Sequence, residues 1–150
     1  MAAPSRPEAI VRAGTRGVVA AMAMSGIRNV TTSAGLVAQT PPEALIEQRA
    51  PHLLAQIPDD RRQAAVEALH WTFGAMGGAV FGMLPATIRR RRWVGPAYGL
   101  LFWVLFEAGI APALGLAQAK QTRIPERVAF LADHVLYGVV VAASPWPHDD

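Results

Sequence analysis

A chain of 150 residues is long enough for one domain and too short for two sizeable hydrophobic cores. It has no cysteine, which excludes disulfides, thiol catalysis, iron–sulfur clusters and cysteine zinc sites. Its net charge of +3 does not indicate nucleic-acid binding, because four of the fourteen basic residues form one block, Arg89 to Arg92, between two apolar stretches. The composition, with 13 glycines, 12 prolines and 52% hydrophobic residues, is compatible with membrane helices.

The first apolar segment covers residues 14–36 and is the least hydrophobic of four, since it contains Arg28 and Asn29. A cleavable signal peptide is a weak alternative, because the small-residue triplet Ala21-Met22-Ala23 lies inside the apolar run and not after it. We therefore predict that this segment is a membrane span.

Residues 39–63 form the longest non-apolar stretch and are predicted to lie outside the membrane. Apolar residues between Glu43 and Ile57 are interrupted by Pro51, a pattern that indicates short interfacial helices. Asp59 and Asp60 suit the N-terminus of the following helix, where negative charge is favoured.

The second predicted span, residues 64–88, carries glycine at every fourth position: Gly74, Gly78 and Gly82. This spacing predicts a flat strip along which another helix approaches closely, within the same chain or in a partner. The span ends at the basic block Arg89, Arg90, Arg91 and Arg92, which we interpret as a topology signal.

The third predicted span, residues 94–116, is the most apolar and has Glu107 as its only ionisable residue. Pro112 predicts a kink in this helix. The fourth predicted span covers residues 128–143, and the tail 144–150 is predicted to be disordered.

These segments predict an all-α polytopic membrane protein, a bundle of four transmembrane helices forming one domain. The dense arginine loop 89–92 places that loop and both termini in the cytoplasm, because lysine and arginine in short loops dominate orientation. A soluble all-helical protein is the alternative fold, since the overall apolar content is only slightly above a soluble average.

Ionisable residues inside spans are costly and need a physical explanation. Measured from the predicted outer ends, they lie at comparable depth and predict one intramembrane polar layer, formed by Arg28, His70, Glu107, Asp133 and His134. A proton- or ion-handling site, a structural clamp and snorkelling side chains are the three interpretations. We expect Arg28 to pair with Glu107. No metal site is predicted, because Glu67-x-x-His70 occurs only once.

The order of several features resembles the YagU-type family of small bacterial inner-membrane proteins, which has no assigned chemistry. The match covers residues 17–141, and the features that carry it are Arg28, Pro41-Pro42, His70, residues 112–116, and Glu126 with His134 eight positions later. The first loop is shorter than in the family. The resemblance implies a multi-pass protein of the bacterial inner (plasma) membrane and implies no reaction.

The predicted function is that of a non-enzymatic integral membrane protein, either structural or an accessory subunit of a membrane complex. Its expected partners are the lipid bilayer and other membrane subunits or further copies of itself, with no cofactor and no nucleic acid. A small transporter or proton conduit using the polar layer is the alternative, and a lipid-modifying membrane enzyme is a weaker one. No phosphate loop, nucleophile elbow or dinucleotide fingerprint is present in the sequence.

Overall fold

The computed structural model describes residues 5–35, 46–116 and 123–143, and every regular element in these ranges is helical. The four long helices are α1 (Arg6–Ser33), α2 (Asp59–Met83), α3 (Val94–Ala113) and α4 (Ile124–Ala142). Shorter helical turns lie in the connections, at residues 46–49, Pro51–Leu54 and Ala86–Arg89. The prolines at 41 and 42 and the tail 144–150 lie outside the described residues.

Local sequence signals explain where α1 begins and where α2 begins and ends. Helix α1 starts eight residues before the predicted span, where the Ser5 backbone N–H donates to the Glu8 carboxylate at 2.8 Å. Helix α2 begins at Asp59, as its acidic first turn predicts. It ends at Met83 because Leu84 precedes Pro85 and is held in an extended conformation. The predicted segment 64–88 therefore runs past the end of this helix.

Helix α3 is irregular near its C-terminal end. Residues Leu105–Ile110 form a π-helical turn, and Pro112 follows in the last turn. Proline has no N–H to donate to the preceding turn and its ring crowds the carbonyl four residues back, so the regular hydrogen-bond pattern is interrupted here. The helix ends at Ala113, and Gly115 two residues later has a φ of 59°, the left-handed conformation that follows a helix C-cap, while the Leu116 N–H donates to the Ala111 carbonyl at 2.9 Å.

The prediction of four transmembrane helices is wrong, although its helical part agrees with the structure. Among the described residues, one helix, Val94–Ala113, is long and apolar enough to cross a membrane, with a mean hydropathy of 1.5. The other long helices are diluted by glycine, hydroxyl and charged side chains. Charged residues within them include Arg12, Arg16 and Arg28 in α1, Asp59 to Arg62 and Glu67 in α2, and Glu126, Arg127 and Asp133 in α4.

Helix α1 packs along α2 and also contacts α4, and α4 packs along α3. The core between them is built from small and medium side chains together with two aromatic ones: Ala13, Ala20, Met24, Phe81, Val94, Tyr137 and Val141. Small residues allow the helix backbones to approach closely, so this core is thin. Polar side chains of α1, α2 and α4 consequently lie near one another at one end of it.

Candidate functional site

Arg28 and Glu67 form the most buried ion pair of the described residues. Arg28 is 5% exposed, and its Nη2 atom donates to Glu67 Oε1 at 2.8 Å and to Oε2 at 3.0 Å. The expected pairing of Arg28 with Glu107 is therefore wrong. Glu67 lies on α2, which packs directly along α1, so it reaches Arg28 without crossing the core. A buried guanidinium needs such a partner, because an uncompensated buried charge costs several kcal/mol.

Ser25 lies at the centre of the polar cluster around this pair. Its hydroxyl donates to the Glu67 carboxylate, and it accepts hydrogen bonds from Arg28 Nη2 at 3.2 Å and from Trp71 Nε1 at 3.3 Å. The Nδ1 atom of His70 lies 3.3 Å from the same oxygen. Sequence reasoning did not select Ser25. Its position three residues before Arg28, on the same helix face, was the available signal.

Glu107 lies apart from this cluster. It belongs to the π-helical turn of α3, and its Oε1 atom is 3.6 Å from Arg127 Nε on α4. The same Oε1 atom is buried and has no hydrogen-bond partner among the described residues. The distance is long for a charge-assisted hydrogen bond, so Glu107 and Arg127 form a loose ion pair between α3 and α4.

Four of the five residues of the predicted polar layer line one cavity of about 270 Å³. Arg28 comes from α1, His70 from α2, and Asp133 and His134 from α4, whereas Glu107 is absent from its lining. The remaining lining is mostly apolar and aromatic, and every long helix contributes to it. Side chains of all four long helices thus surround this cavity. We call it the central cavity.

A second, more polar cavity of about 660 Å³ also borders the ion pair. Arg28 lines both cavities, and Glu67 lines the second one. Further polar lining comes from α1, α2 and the preceding connection: Asn29, Thr32, Ser33, Glu47, Asp59, Arg62 and Gln63. Arg28 is thus shared by a polar and a largely apolar cavity.

Burial determines the protonation of the ionisable groups at the central cavity. Burial and the positive charge of Arg28 lower the pKa of His70 to about 4, and burial also lowers the pKa of His134. Both imidazoles are therefore neutral at pH 7. His134 Nδ1 lies 2.7 Å from the Phe130 carbonyl, which only accepts, so Nδ1 carries the proton and Nε2 is an acceptor. Burial raises the pKa of Asp133 to about 6, against the effect of Arg28.

The glycine strip of α2 faces α1 of the same chain. A Cβ atom at Gly78 would overlap the Ala13 carbonyl, and one at Gly82 would lie 2.6 Å from the Ala9 carbonyl oxygen. At Gly74 an added Cβ would lie 2.6 Å from the Gly17 carbonyl oxygen. The strip therefore packs within the chain, in the closest helix–helix approach that backbones allow.

A second crossing of the same kind joins α3 and α4 and was missed in the sequence. A Cβ at Gly99 would overlap the His134 carbonyl, and one at Gly138 would overlap the Gly95 carbonyl. The four-residue spacing of Gly95 and Gly99 was the signal that could have found it. This crossing fixes the α4 backbone at His134, so it also positions the α4 side of the central cavity.

The basic block lies directly before the candidate span. Arg90, Arg91 and Arg92 are exposed, and Arg89 Nε donates to the Leu84 carbonyl at 3.0 Å.

No group of three or more histidine, aspartate or glutamate side chains suited to a metal occurs in the described ranges.

Comparison with known proteins identifies no relative. No family model matches the chain, and no curated protein or solved structure matches it. The resemblance to the YagU-type family thus rests on the sequence motifs alone and stays a prediction. Over the described residues, the regular elements are all helical and one helix, α3, is a candidate membrane span.

Proposed function

We propose that this chain is a small non-enzymatic membrane protein that is anchored by α3 and serves as a structural or accessory subunit of a membrane complex. The observation that carries the proposal is the exposure of α3: only 22% of its apolar window is buried inside the protein. The core helix of a soluble protein is mostly buried, whereas an anchor presents its apolar side chains to lipid.

The exposed apolar side chains of α3 support this proposal. They extend along much of the helix and are Leu100, Leu101, Val104, Leu105 and Ile110. The exposed arginines 90–92 precede the helix directly, the position that favours the cytoplasmic face of a membrane. A bacterial inner membrane is the location that the motif resemblance adds to the proposal. Lipid and other subunits, or a second copy, are the proposed partners.

Membrane fractionation with an alkaline carbonate wash tests the anchor. The wild-type chain is expected to stay in the washed membranes, and Leu101→Arg is expected to release a large part of it, because arginine at the centre of a span is costly. The matched control is Val11→Arg, which places the same charge at an exposed valine of α1. A wild-type chain that is fully soluble without detergent would overturn the proposal. Purification in a mild detergent, followed by identification of co-purifying chains, then tests the subunit role.

A proton-handling site is the second candidate function, and the arrangement of the two cavities favours it. Arg28 lines both a polar cavity and the cavity that is lined by His70, Asp133 and His134. Such groups relay protons when water connects them. The apolar walls of the central cavity favour a dry structural clamp instead. Proton flux into liposomes that carry the chain, abolished by Asp133→Asn, would favour the proton-handling function over the structural one.

A further inference from the structure

The central cavity has the size and lining of a site for a small organic ligand. A cavity of roughly 150 Å³ with apolar walls is enough to bind benzene. The volume here, about 270 Å³, leaves room for an aromatic ring with a short chain. All four long helices supply its walls, so their packing forms the site before any ligand binds.

Asp133 supplies an acidic group at this cavity. The residue is 7% exposed, it lines the cavity, and it makes no hydrogen bond or ion pair with any described residue. Arg28, the basic residue of the lining, is already engaged by Glu67 and Ser25. Since Arg28 and Glu67 neutralise each other, Asp133 leaves the site with a net negative charge. A buried carboxylate in this position gains most from a cationic ligand.

The aromatic side chains that line the same cavity as Asp133 suit a cation with an aromatic body. Phe102 stacks on Tyr137 with ring centroids 5.7 Å apart and lies 6.3 Å from the His134 ring. Aromatic faces attract cations, and they also pack against aromatic rings. The Nε2 atom of the neutral His134 is an acceptor for a second N–H group.

We propose that the central cavity binds a small organic amine, with its ammonium group on the Asp133 carboxylate and its aromatic or aliphatic body between the α2, α3 and α4 side chains. An organic acid of the same size would meet the Asp133 charge and find Arg28 already paired. A neutral alcohol would gain the apolar contacts without the ion pair. The amine is therefore expected to bind more tightly than either the alcohol or the acid.

Calorimetric titration of the full chain with three probes of one skeleton tests the proposal. The probes are phenylbutylamine, phenylbutanol and phenylbutyrate. The chain is held in nanodiscs of zwitterionic lipid, with empty nanodiscs as the blank, or in buffer if it does not stay with membranes. The outcome is thereby independent of the membrane anchor. We expect the amine to bind at least about tenfold more tightly than the alcohol and the acid. Equal affinities, tighter binding of the acid, or no binding of the amine would each overturn the proposal.

Variants locate the ammonium group. Asp133→Asn keeps the size of the side chain and removes its charge, so it is expected to weaken amine binding by about tenfold or more and leave alcohol binding unchanged. Asp60→Asn is the matched control, because Asp60 is an exposed acid in the first turn of α2, outside the cavity. Unchanged amine binding in a folded Asp133→Asn protein would contradict the assignment. If that variant does not fold, the three-probe series on the wild-type chain decides.

Discussion

The two helix pairs, α1–α2 and α3–α4, are held together in the same way but differ in chemistry. Each pair crosses at glycine, with Gly17 and Gly78 between α1 and α2, and Gly99 and Gly138 between α3 and α4. Among the described residues, each helix pair also has one ion pair between its helices. Arg28–Glu67 is buried and short at 2.8 Å, whereas Arg127–Glu107 is half-exposed on the arginine side and longer at 3.6 Å.

The two helix pairs also show that glycine at four-residue spacing indicates close helix packing and does not indicate a membrane span. The strip on α2 is the longer one, with three glycines, yet α2 is not apolar enough to cross a membrane. Helix α3 has the candidate span and only two glycines at the crossing. Close approach depends on small side chains at four-residue spacing, while membrane insertion depends on the summed hydropathy of about 20 residues. Glycine allows the close approach of two helices and contributes little to the summed hydropathy.

The largest expected effect is at the α1–α2 crossing. Gly78→Leu places a large side chain where even a Cβ meets the Ala13 carbonyl, so we expect it to lower the free energy of unfolding by more than about 4 kcal/mol and to reduce the amount of folded protein. Val80→Leu, at a residue 54% exposed on the same helix, is the control and should cost little. Thermal unfolding and protein yield measure both. Equal tolerance of the two variants would mean that α1 and α2 do not cross there.

The next effect compares the two ion pairs. Arg28→Leu or Glu67→Leu alone is expected to destabilise the protein by about 3 kcal/mol, because each leaves a buried charge, and the double replacement should recover part of this loss. The corresponding cycle on Arg127 and Glu107 should give a coupling of less than about 1 kcal/mol. Chemical denaturation of the single and double variants measures both couplings. Additive losses for Arg28 and Glu67 would show that the two side chains do not meet.

A smaller effect tests the α3–α4 crossing. Gly99→Ala places a methyl group against the His134 carbonyl, and we expect it to destabilise by about 1–3 kcal/mol. Gly109→Ala on the same helix has no neighbour within 4 Å, and it should be neutral or stabilising by about 0.5 kcal/mol, since alanine restricts the unfolded chain. The melting temperatures of the two variants should therefore move apart. A loss at Gly109 as large as that at Gly99 would place another surface against Gly109.

The smallest effect concerns Asp133 in the ligand-free protein. Because its folded pKa, about 6, lies above the ordinary 3.8, the folded state disfavours the carboxylate, and this destabilisation grows as the pH rises from about 4 to 6. Asp133→Asn should therefore be about 1–2 kcal/mol more stable than wild type at pH 7.5 and nearly equal to it at pH 4. Thermal unfolding at both values measures the difference. A variant less stable than wild type at pH 7.5 would show that the carboxylate has a favourable partner.

Ionisation of Asp133, which lowers the stability of the ligand-free protein, should raise its affinity for the amine. Phenylbutylamine affinity is expected to rise by about tenfold between pH 5 and pH 8, as Asp133 ionises. The other charged or titratable groups near the cavity are Arg28 with Glu67, the neutral His70 and His134, and Tyr137, whose pKa is raised by burial, while α3 contributes only uncharged side chains to the lining. An affinity that is constant over this pH range would show that the Asp133 carboxylate does not bind the amine.

Much of the helix pattern could be predicted from the sequence, because it depends on neighbouring residues. Asp59 at the start of α2, Pro85 after its end and Gly115 after α3 act within one turn of the chain, so they can be recognised without the fold. Four residues that line the central cavity could be selected in the sequence as members of a polar layer, because ionisable side chains within apolar segments are rare. The number of spans was overestimated, because the segment limits included glycines and charges that lower their hydropathy.

Which residues meet was decided only by the tertiary structure. The sequence placed Arg28 and Glu107 deep in two predicted spans, and depth alone favoured their pairing. The partner is Glu67, because α1 and α2 pack through their glycine strips, and this contact sets the rotation and offset of both helices. Helix rotation and offset follow from the sum of many interhelical contacts, so no local pattern determines them. For the same reason Asp133 was recognised in the sequence as a polar residue, and only the packing of four helices placed it in a cavity where no described residue pairs with it.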